Sequence, residues 1–212
     1  LYDQGYHFSH DWCGLLEVSY KDSLKTRQKA FENINAWPKG LIHSINKDQA
    51  SKVSNLTLNN GGLFLPQAGW IAPQELVNQL FNAAKDTNRL RIETNVSVNN
   101  INFKNNKWQI DSNKGSFSSE ILVICGGAEA IKLNLIDQLP LTSVGGQITG
   151  MKTNENIKKL ATVICHKGYL TPENNGQHCI GATFDKNTFD TNTTLAADNY
   201  NLAMLAKCLP EI

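Results

Sequence analysis

The chain has 212 residues, of which 41% are hydrophobic and 18% charged, with a formal net charge of +1. That apolar fraction supplies a real core and excludes a disordered chain; at about 150 residues per domain, the length predicts one large domain or two small ones. Twenty Lys and Arg against nineteen Asp and Glu give no electrostatic reason for strong nucleic-acid binding by overall charge. No apolar run approaches the roughly 20 residues of a membrane-spanning helix, the longest, 121–128, being broken by Gly126 and Gly127.

Leu1 is not an initiator methionine and the chain stops at Ile212 straight after a helical pattern, so it reads as cut at both ends. No basic stretch followed by an apolar segment marks a secretory signal. The five cysteines, Cys13, Cys125, Cys165, Cys179 and Cys208, are odd in number and contain no C-x-x-C pair. Reduced thiols in a cytoplasmic protein are the expectation. Asn-x-Ser/Thr sequons at Asn55, Asn95 and Asn192 are chance matches in an Asn-rich chain.

In chain order, Leu15–Tyr20 reads as a strand, followed by a helix over Lys21–Asn33 with Leu24, Ala30 and Phe31 toward a core. A short helix is expected near Asp48–Val53, then a strand punctuated by turn residues over Gly61–Trp70. Pro73–Thr87 carries the clearest helical signal: proline at the first turn, then Leu76, Val77, Leu80, Phe81 and Ala84 on one face. Strands are predicted at Leu90–Glu93, Val96–Phe103 and Lys107–Asp111, the last two joined by a tight Asn105-Asn106 turn. Ile121–Cys125 is a continuous apolar run, typical of a strand buried on both faces. Strands Leu141–Met151 and Thr162–Leu170, with a return strand His178–Thr183 after the turn Pro172–Gly176, predict an antiparallel sheet; a helix follows over Leu195–Leu209. The fold class is α/β (α+β).

Few residues point to chemistry by themselves. Cys165-His166 and His178-Cys179 suggest zinc, but strand neighbours point to opposite faces, so each pair offers one ligand per face, short of the four a structural site needs. No metal is expected. His10-Asp11 with Cys13 has the residue types of a nucleophile and base without any oxyanion-hole signature. Gly126-Gly127 after an apolar run is either a place where backbone meets a nucleotide or a plain strand-to-helix turn. Neither G-x-G-x-x-G nor G-x-x-x-x-G-K-[ST] occurs.

Taken together, five stretches carry a resemblance: His10-Asp11-Trp12-Cys13-Gly14; Gly62 to Trp70 continuing into Pro73-Gln74-Glu75-Leu76; Ser143-Val144-Gly145-Gly146-Gln147; Gly168-Tyr169-Leu170-Thr171-Pro172; and Gln177-His178-Cys179-Ile180-Gly181-Ala182. In this order the chain resembles the FAD-dependent amino-acid and amine oxidases that include glycine oxidase. Within them it is similar to the oxidoreductase half of the bifunctional enzymes of tRNA 5-methylaminomethyl-2-thiouridine biosynthesis. The resemblance implies an antiparallel substrate-binding sheet interleaved with a partial FAD-binding domain: residues 1–70 and 139–212 as substrate domain, 71–138 as the FAD piece. The family's phosphate loop would precede Leu1, and a further FAD-contacting segment would follow Ile212.

The implied reaction is flavin-dependent oxidation at a CH–NH group. Carboxymethylaminomethyl on the wobble uridine of tRNA would lose hydride to FAD, and hydrolysis would leave aminomethyluridine and a glyoxylate-sized fragment. A methyltransferase domain in the same parent polypeptide would then methylate the amine. The resemblance places Val98 where FAD adenosine is held by backbone groups, and Cys125, Gly126 and Gly127 at the turn approaching the cofactor; Gly126 departs from the polar residue of the tRNA enzymes. Gln147, Tyr169 and Phe184 fall on substrate-side positions, Tyr169 matching a substrate-side tyrosine. Read from the residues alone, ordinary packing is the favoured role of both, Tyr169 across the hairpin from His178 and Phe184 in the core. No catalytic residue is assigned. Of the three arginines, Arg27, Arg89 and Arg91, none lies on a candidate pocket segment, so a carboxylate would be gripped poorly. Without a phosphate loop, the chain alone is expected to hold FAD weakly and to be inactive. A dimer of fragments covering apolar cut faces is also expected. The alternatives are a small-molecule amine oxidase of the glycine oxidase type, or a non-catalytic module that binds tRNA or protein.

Overall fold

A computed structural model of the chain describes residues 5–34, 37–85, 87, 89–133, 135 and 139–212. They form two compact units. The first comprises Leu1–Ala83, Gly146–Thr183 and Thr193–Ile212, the second Ala84–Gly145 and Phe184–Asn192. The boundary expected at 70/71 falls within the first unit, and that at 138/139 adjoins residues 136–138, outside the described ones.

The elements are β1 (His10–Asp11), β2 (Leu15–Val18), α1 (Asp22–Ile34), β3 (His43–Ile45), α2 (Lys47–Ser54), β4 (Gly62–Leu65), β5 (Trp70–Ile71), α3 (Pro73–Lys85), β6 (Val98–Lys104), β7 (Lys107–Ser112), β8 (Gly115–Ser119), β9 (Val144–Gly145), β10 (Thr149–Lys152), β11 (Val163–Cys165), β12 (Tyr169–Leu170), β13 (Gln177–Gly181), β14 (Asp185–Lys186) and α4 (Leu195–Cys208).

The first unit is organised by a seven-stranded sheet in the order β10-β13-β12-β11-β2-β4-β3. All neighbours are antiparallel except β11 and β2, which run parallel. Side chains alternate across a strand. One face therefore collects Leu16, Val18, Ile45, Ile164, Leu170 and Ile180, all buried. They pack against Ala50 of α2, Leu58, and Leu205 and Cys208 of α4. Each such side chain contributes about 1.5–3 kcal/mol by leaving water. The opposite face carries Leu15, Glu17, Val163, Cys165, Tyr169 and Cys179 by the same register. Over β2 and β3 this face meets α1: Arg27 donates to Glu17 Oε1 at 2.6 Å, and Gln28 donates to Ser44 Oγ at 2.6 Å.

α2 forms where periodicity is weak because its first turn is capped from both sides. Asn46 Oδ1 accepts from the Gln49 N–H at 3.0 Å, and Gln49 Oε1 accepts from the Asn46 N–H at 2.9 Å. In the second unit, β6, β7 and β8 make an antiparallel sheet, with Asn105 and Asn106 both left-handed in the β6–β7 turn.

Several expectations are corrected. Ile121–Cys125 is not a buried strand: Ile121 and Val123 are 77% and 75% exposed, and no described strand pairs with the run. A strand exists only through its ladder, and an apolar run supplies no partner by itself. Leu90–Glu93 likewise has no ladder. Leu141–Met151 is two strands, β9 and β10, divided at Gly146, and Thr162–Leu170 is two strands folded back at Lys167. The antiparallel sheet expected over these strands forms, with β10, β13, β12 and β11 pairing antiparallel in turn, and a parallel β11–β2 pair extends it. α3 forms but buries no side chain; Val77, Leu80 and Phe81 stay 38–46% exposed. In α1 only Leu24 is buried. Among the described residues no helix is long and apolar enough to cross a membrane.

Candidate active site

Beyond α1, the same face of the large sheet floors a hollow of about 630 Å³. Its floor consists of Leu15, Val163, Cys165, Tyr169 and Cys179, its wall of Trp70, Ile71 and Pro73, and its rim includes Ile148, Asn174 and Gln177. Register explains the floor. Val163 lies beside Leu15, Cys165 opposite Tyr169, and Gly150 opposite Cys179, all on one side of the pleat. Tyr169 faces Gly181 across the β12–β13 pair, and the missing Cβ there leaves room for the phenol ring.

The wall depends on a second pairing. β1 and β5 are antiparallel, with Asp11 opposite Trp70 and His10 opposite Ile71. The Gly14 N–H extends this contact, donating to the Ala68 carbonyl at 2.8 Å. Gly69 is required because a Cβ there would collide with the Asp11 carbonyl oxygen. Ser9 N–H donates to Glu75 Oε2 at 2.6 Å, tying the start of α3 to the same ladder. The stretches 10–14 and 62–76, distant in sequence, thus meet beside the hollow.

The floor is uncharged at neutral pH. Burial, with Cys179 and then Cys165 adding, pushes the Tyr169 phenol up to about 12. Burial and then the Glu17 carboxylate push the Cys165 thiol up to about 11, and burial raises Cys179. All three stay protonated, leaving weak hydrogen-bonding groups in an otherwise apolar hollow.

Among the expected site residues, Tyr169 lines the hollow. Gln147 lies just before β10, with its side-chain amide committed to α4: Nε2 donates to Thr194 O at 2.9 Å and Asp198 Oδ1 at 2.8 Å, and Oε1 accepts from Thr194 N–H at 2.8 Å. Val98, Cys125, Gly126, Gly127 and Phe184 belong to the second unit. Val98 opens β6 at a bulge, and Phe184 is 69% exposed. Cys125 and Gly126 lead into a 3₁₀ turn over Gly127–Lys132. Gly127 has φ +55°, and a Cβ there would meet nothing within 4 Å, so its backbone is open.

The alternation expected at the cysteine–histidine pairs is clear at 165/166, where Cys165 lines the hollow and His166 is buried away from it; at 178/179 Cys179 and the buried His178 both border the hollow. His178 is held by the Thr171 carbonyl at 2.9 Å and Thr153 Oγ1 at 3.0 Å, whereas His166 has no partner on either ring nitrogen among the described residues. Near the chain start, His10 Nδ1 meets Phe8 O at 2.9 Å, and burial, with Asp11 adding, raises the Cys13 thiol, the opposite of an activated nucleophile. A smaller hollow of about 230 Å³ beside Cys208, Leu209 and Glu211 contains none of the expected site residues.

Sequence reasoning missed Trp70, Cys165 and Cys179 as pocket residues. The alternation of 163 with 165 and of 177 with 179 was the available signal. It also missed the polar cluster in which Thr149 Oγ1 donates to Asp198 Oδ1 at 2.7 Å and Asn201 donates to Thr149 Oγ1 at 3.0 Å.

The tRNA 5-methylaminomethyl-2-thiouridine biosynthesis bifunctional protein MnmC of Pseudoalteromonas atlantica is 34% identical over 222 residues, covering 96% of this chain and 32% of that protein. Its counterpart from Chromobacterium violaceum is 32% identical over 95% of this chain and 31% of its own length. The chain therefore spans about a third of these curated relatives. In fold it is similar to glycine oxidase from Bacillus cereus, with a TM-score of 0.81 at 20% identity over 97% of this chain and 58% of that one. The sequence profile described as FAD dependent oxidoreductase matches residues 1–212, and the chain belongs to that family.

Proposed function

We propose that the chain is the substrate-facing part of a flavin-dependent oxidase acting on the CH–NH bond of a carboxymethylaminomethyl group on tRNA wobble uridine. Aminomethyluridine stays on the tRNA and a glyoxylate-sized fragment leaves. The observation that carries this reading is the similarity, over nearly the whole chain, to relatives named for tRNA 5-methylaminomethyl-2-thiouridine biosynthesis.

The hollow suits that substrate. Oxidation beside nitrogen needs the amine unprotonated, and a site with apolar walls and an uncharged floor disfavours the ammonium form. Tyr169, kept protonated by burial, is a hydrogen-bond donor to the substrate's oxygen atoms. Trp70 and Ile71 exclude water from one side. Gln147 acts by holding α4 to the strand that follows it. In this reading the first unit, including Ile71 and Pro73, carries the substrate, and the part of 71–138 that lies in the second unit, from Ala84 on, belongs to the FAD-binding domain.

The open backbone at Gly127 and the exposed positions of Val98, Cys125 and Gly126 fit a cofactor approached by main chain, so these residues would hold FAD. When bound, FAD supplies the hydride acceptor that no side chain can provide.

The test is incubation of the complete gene product with FAD and carboxymethylaminomethyl-bearing tRNA, read by nucleoside mass spectrometry and glyoxylate assay. Conversion to aminomethyluridine with release of glyoxylate is expected. Unchanged nucleoside with turnover of glycine or sarcosine would assign a small-molecule amine oxidase.

A further inference from the structure

The hairpin between β12 and β13 carries two carboxamides to the rim of the hollow. Asn174 and Gln177 exchange backbone hydrogen bonds: the Asn174 N–H donates to the Gln177 carbonyl at 2.8 Å, and the Gln177 N–H to the Asn174 carbonyl at 3.2 Å. Such a pair holds its two side chains on one side of the ribbon, with Cβ atoms about 5 Å apart. Asn175 and Gly176 between them are both left-handed, the geometry of a two-residue turn. Glu173 Oε1 accepts from the Gly176 N–H at 2.5 Å, which commits that carboxylate to the turn backbone. The two amides stand on a braced tip.

Both residues line the hollow. Gln177 shares its side of the pleat with Cys179, and a Cβ at Gly150 would meet the Gln177 amide oxygen at 3.2 Å. This amide therefore turns inward over β10. Gln28, Gln49 and Asn201 use their amides to hold the fold together. Among the described residues, the Asn174 and Gln177 amides have no hydrogen-bond partner. Nor does any Asp, Glu, Lys or Arg among them line the hollow. A carboxamide presents a donor and an acceptor side by side, which suits the edge of a flat heterocycle rather than an ion. In the tRNA reading the reacting arm sits on C5 of the wobble uracil. With the arm in the hollow, the base stands at the mouth, and O4 and N3–H follow C5 around the ring toward the rim. An acceptor next to a donor is the pattern that two adjacent carboxamides match, and side-chain amides read base edges in this way.

We propose that Asn174 and Gln177 bind the O4 and N3–H edge of the wobble uracil and so determine that the substrate is a base-borne amine. This rests on the tRNA reading above and deepens it, naming the residues that separate such a substrate from a free secondary amine.

Fluorescence anisotropy of a labelled anticodon stem-loop bearing 5-carboxymethylaminomethyluridine tests the proposal. The complete gene product is used with its flavin reduced beforehand, so that the arm is not consumed. A second stem-loop carries the same base methylated at N3, which removes the donor and blocks the edge. Methylation should weaken binding to the wild type roughly tenfold, as the loss of one or two hydrogen bonds does. N174A/Q177A should bind the unmethylated RNA roughly tenfold more weakly, and methylation should then cost it less than about threefold. Equal methylation costs in both proteins, undiminished binding by the variant, or no binding to the wild type each overturn the proposal. Backbone bonds and Glu173 hold the turn, so the variant's urea midpoint should match the wild type. If it falls, Q177A carries the same cycle, since Gln177 is exposed. Coupled losses with no nucleoside converted by the FAD-loaded protein support the base contact while the oxidase reading fails. Conversion with uncoupled losses gives the reverse.

Discussion

The Tyr169 ring lies directly over Gly181. β12 and β13 pair the two residues in register, and a Cβ at 181 would come within 2.6 Å of the Tyr169 Cζ and hydroxyl oxygen. The absence of one methyl group thus sets the orientation of the one expected substrate-side residue that lines the hollow.

G181A should therefore displace Tyr169 and cost about 1–3 kcal/mol, the usual range for overpacking. Urea unfolding measures this. In a Y169A background the same substitution should cost clearly less, since the clashing ring is gone. Equal costs in both backgrounds would show that the ring does not rest on Gly181.

Gln147 was expected on the substrate side, yet both its donor contacts and its carbonyl oxygen serve the start of α4. Q147A should destabilise the chain by about 1–3 kcal/mol, because Asp198 and the Thr194 N–H lose partners. Hydrogen exchange should rise in the first turn of α4. Unchanged stability and exchange would reassign the side chain to ligand binding.

Stability should decline on the alkaline side. Cys165 is pushed up to about 11, and Tyr169 and Cys208 to about 12, in each case first by burial. Between about pH 9 and 11 the unfolded chain releases these protons while the folded chain keeps them, so ΔG of unfolding falls as pH rises. Urea midpoints at pH 8, 9.5 and 10.5 should decrease in that order. At pH 8, exposed Cys125 should react with a disulfide reagent before buried Cys208, as read by peptide mass spectrometry.

His166 gives the acidic counterpart. It is fully buried with neither ring nitrogen partnered among the described residues, and burial lowers its pKa from 6.5. Below about pH 6.5 the unfolded chain takes up a proton that the folded chain refuses, so His166 subtracts stability as pH falls through that value toward its lowered one. H166L should be about 1 kcal/mol more stable at pH 7 and should lose less between pH 7 and 5. A variant with the wild-type slope below pH 6.5 would exclude His166 as the group responsible.

Local pattern made much of the fold legible. α1, α3 and α4 lie within a few residues of where three- and four-residue spacing places them, and Pro172–Gly176 turns the chain between β12 and β13. α2 was weakly marked because its support is a pair of side chains, Asn46 and Gln49, rather than an apolar stripe. Ile121–Cys125 shows the opposite limit: a strand-like composition without a ladder partner among the described residues.

The sequence by itself determined the helices, the turns, the alternation that separates Cys165 from His166, and the ordered motifs that identify the family. Those depend on neighbours within a few residues, or on the order of side chains along the chain. Tertiary structure alone decided that Leu15, Trp70, Cys165, Tyr169 and Cys179 share one hollow and that the Gln147 amide holds α4. Register between distant strands, and the extent of a covering helix, bring such residues together. Both are long-range quantities that no local spacing encodes.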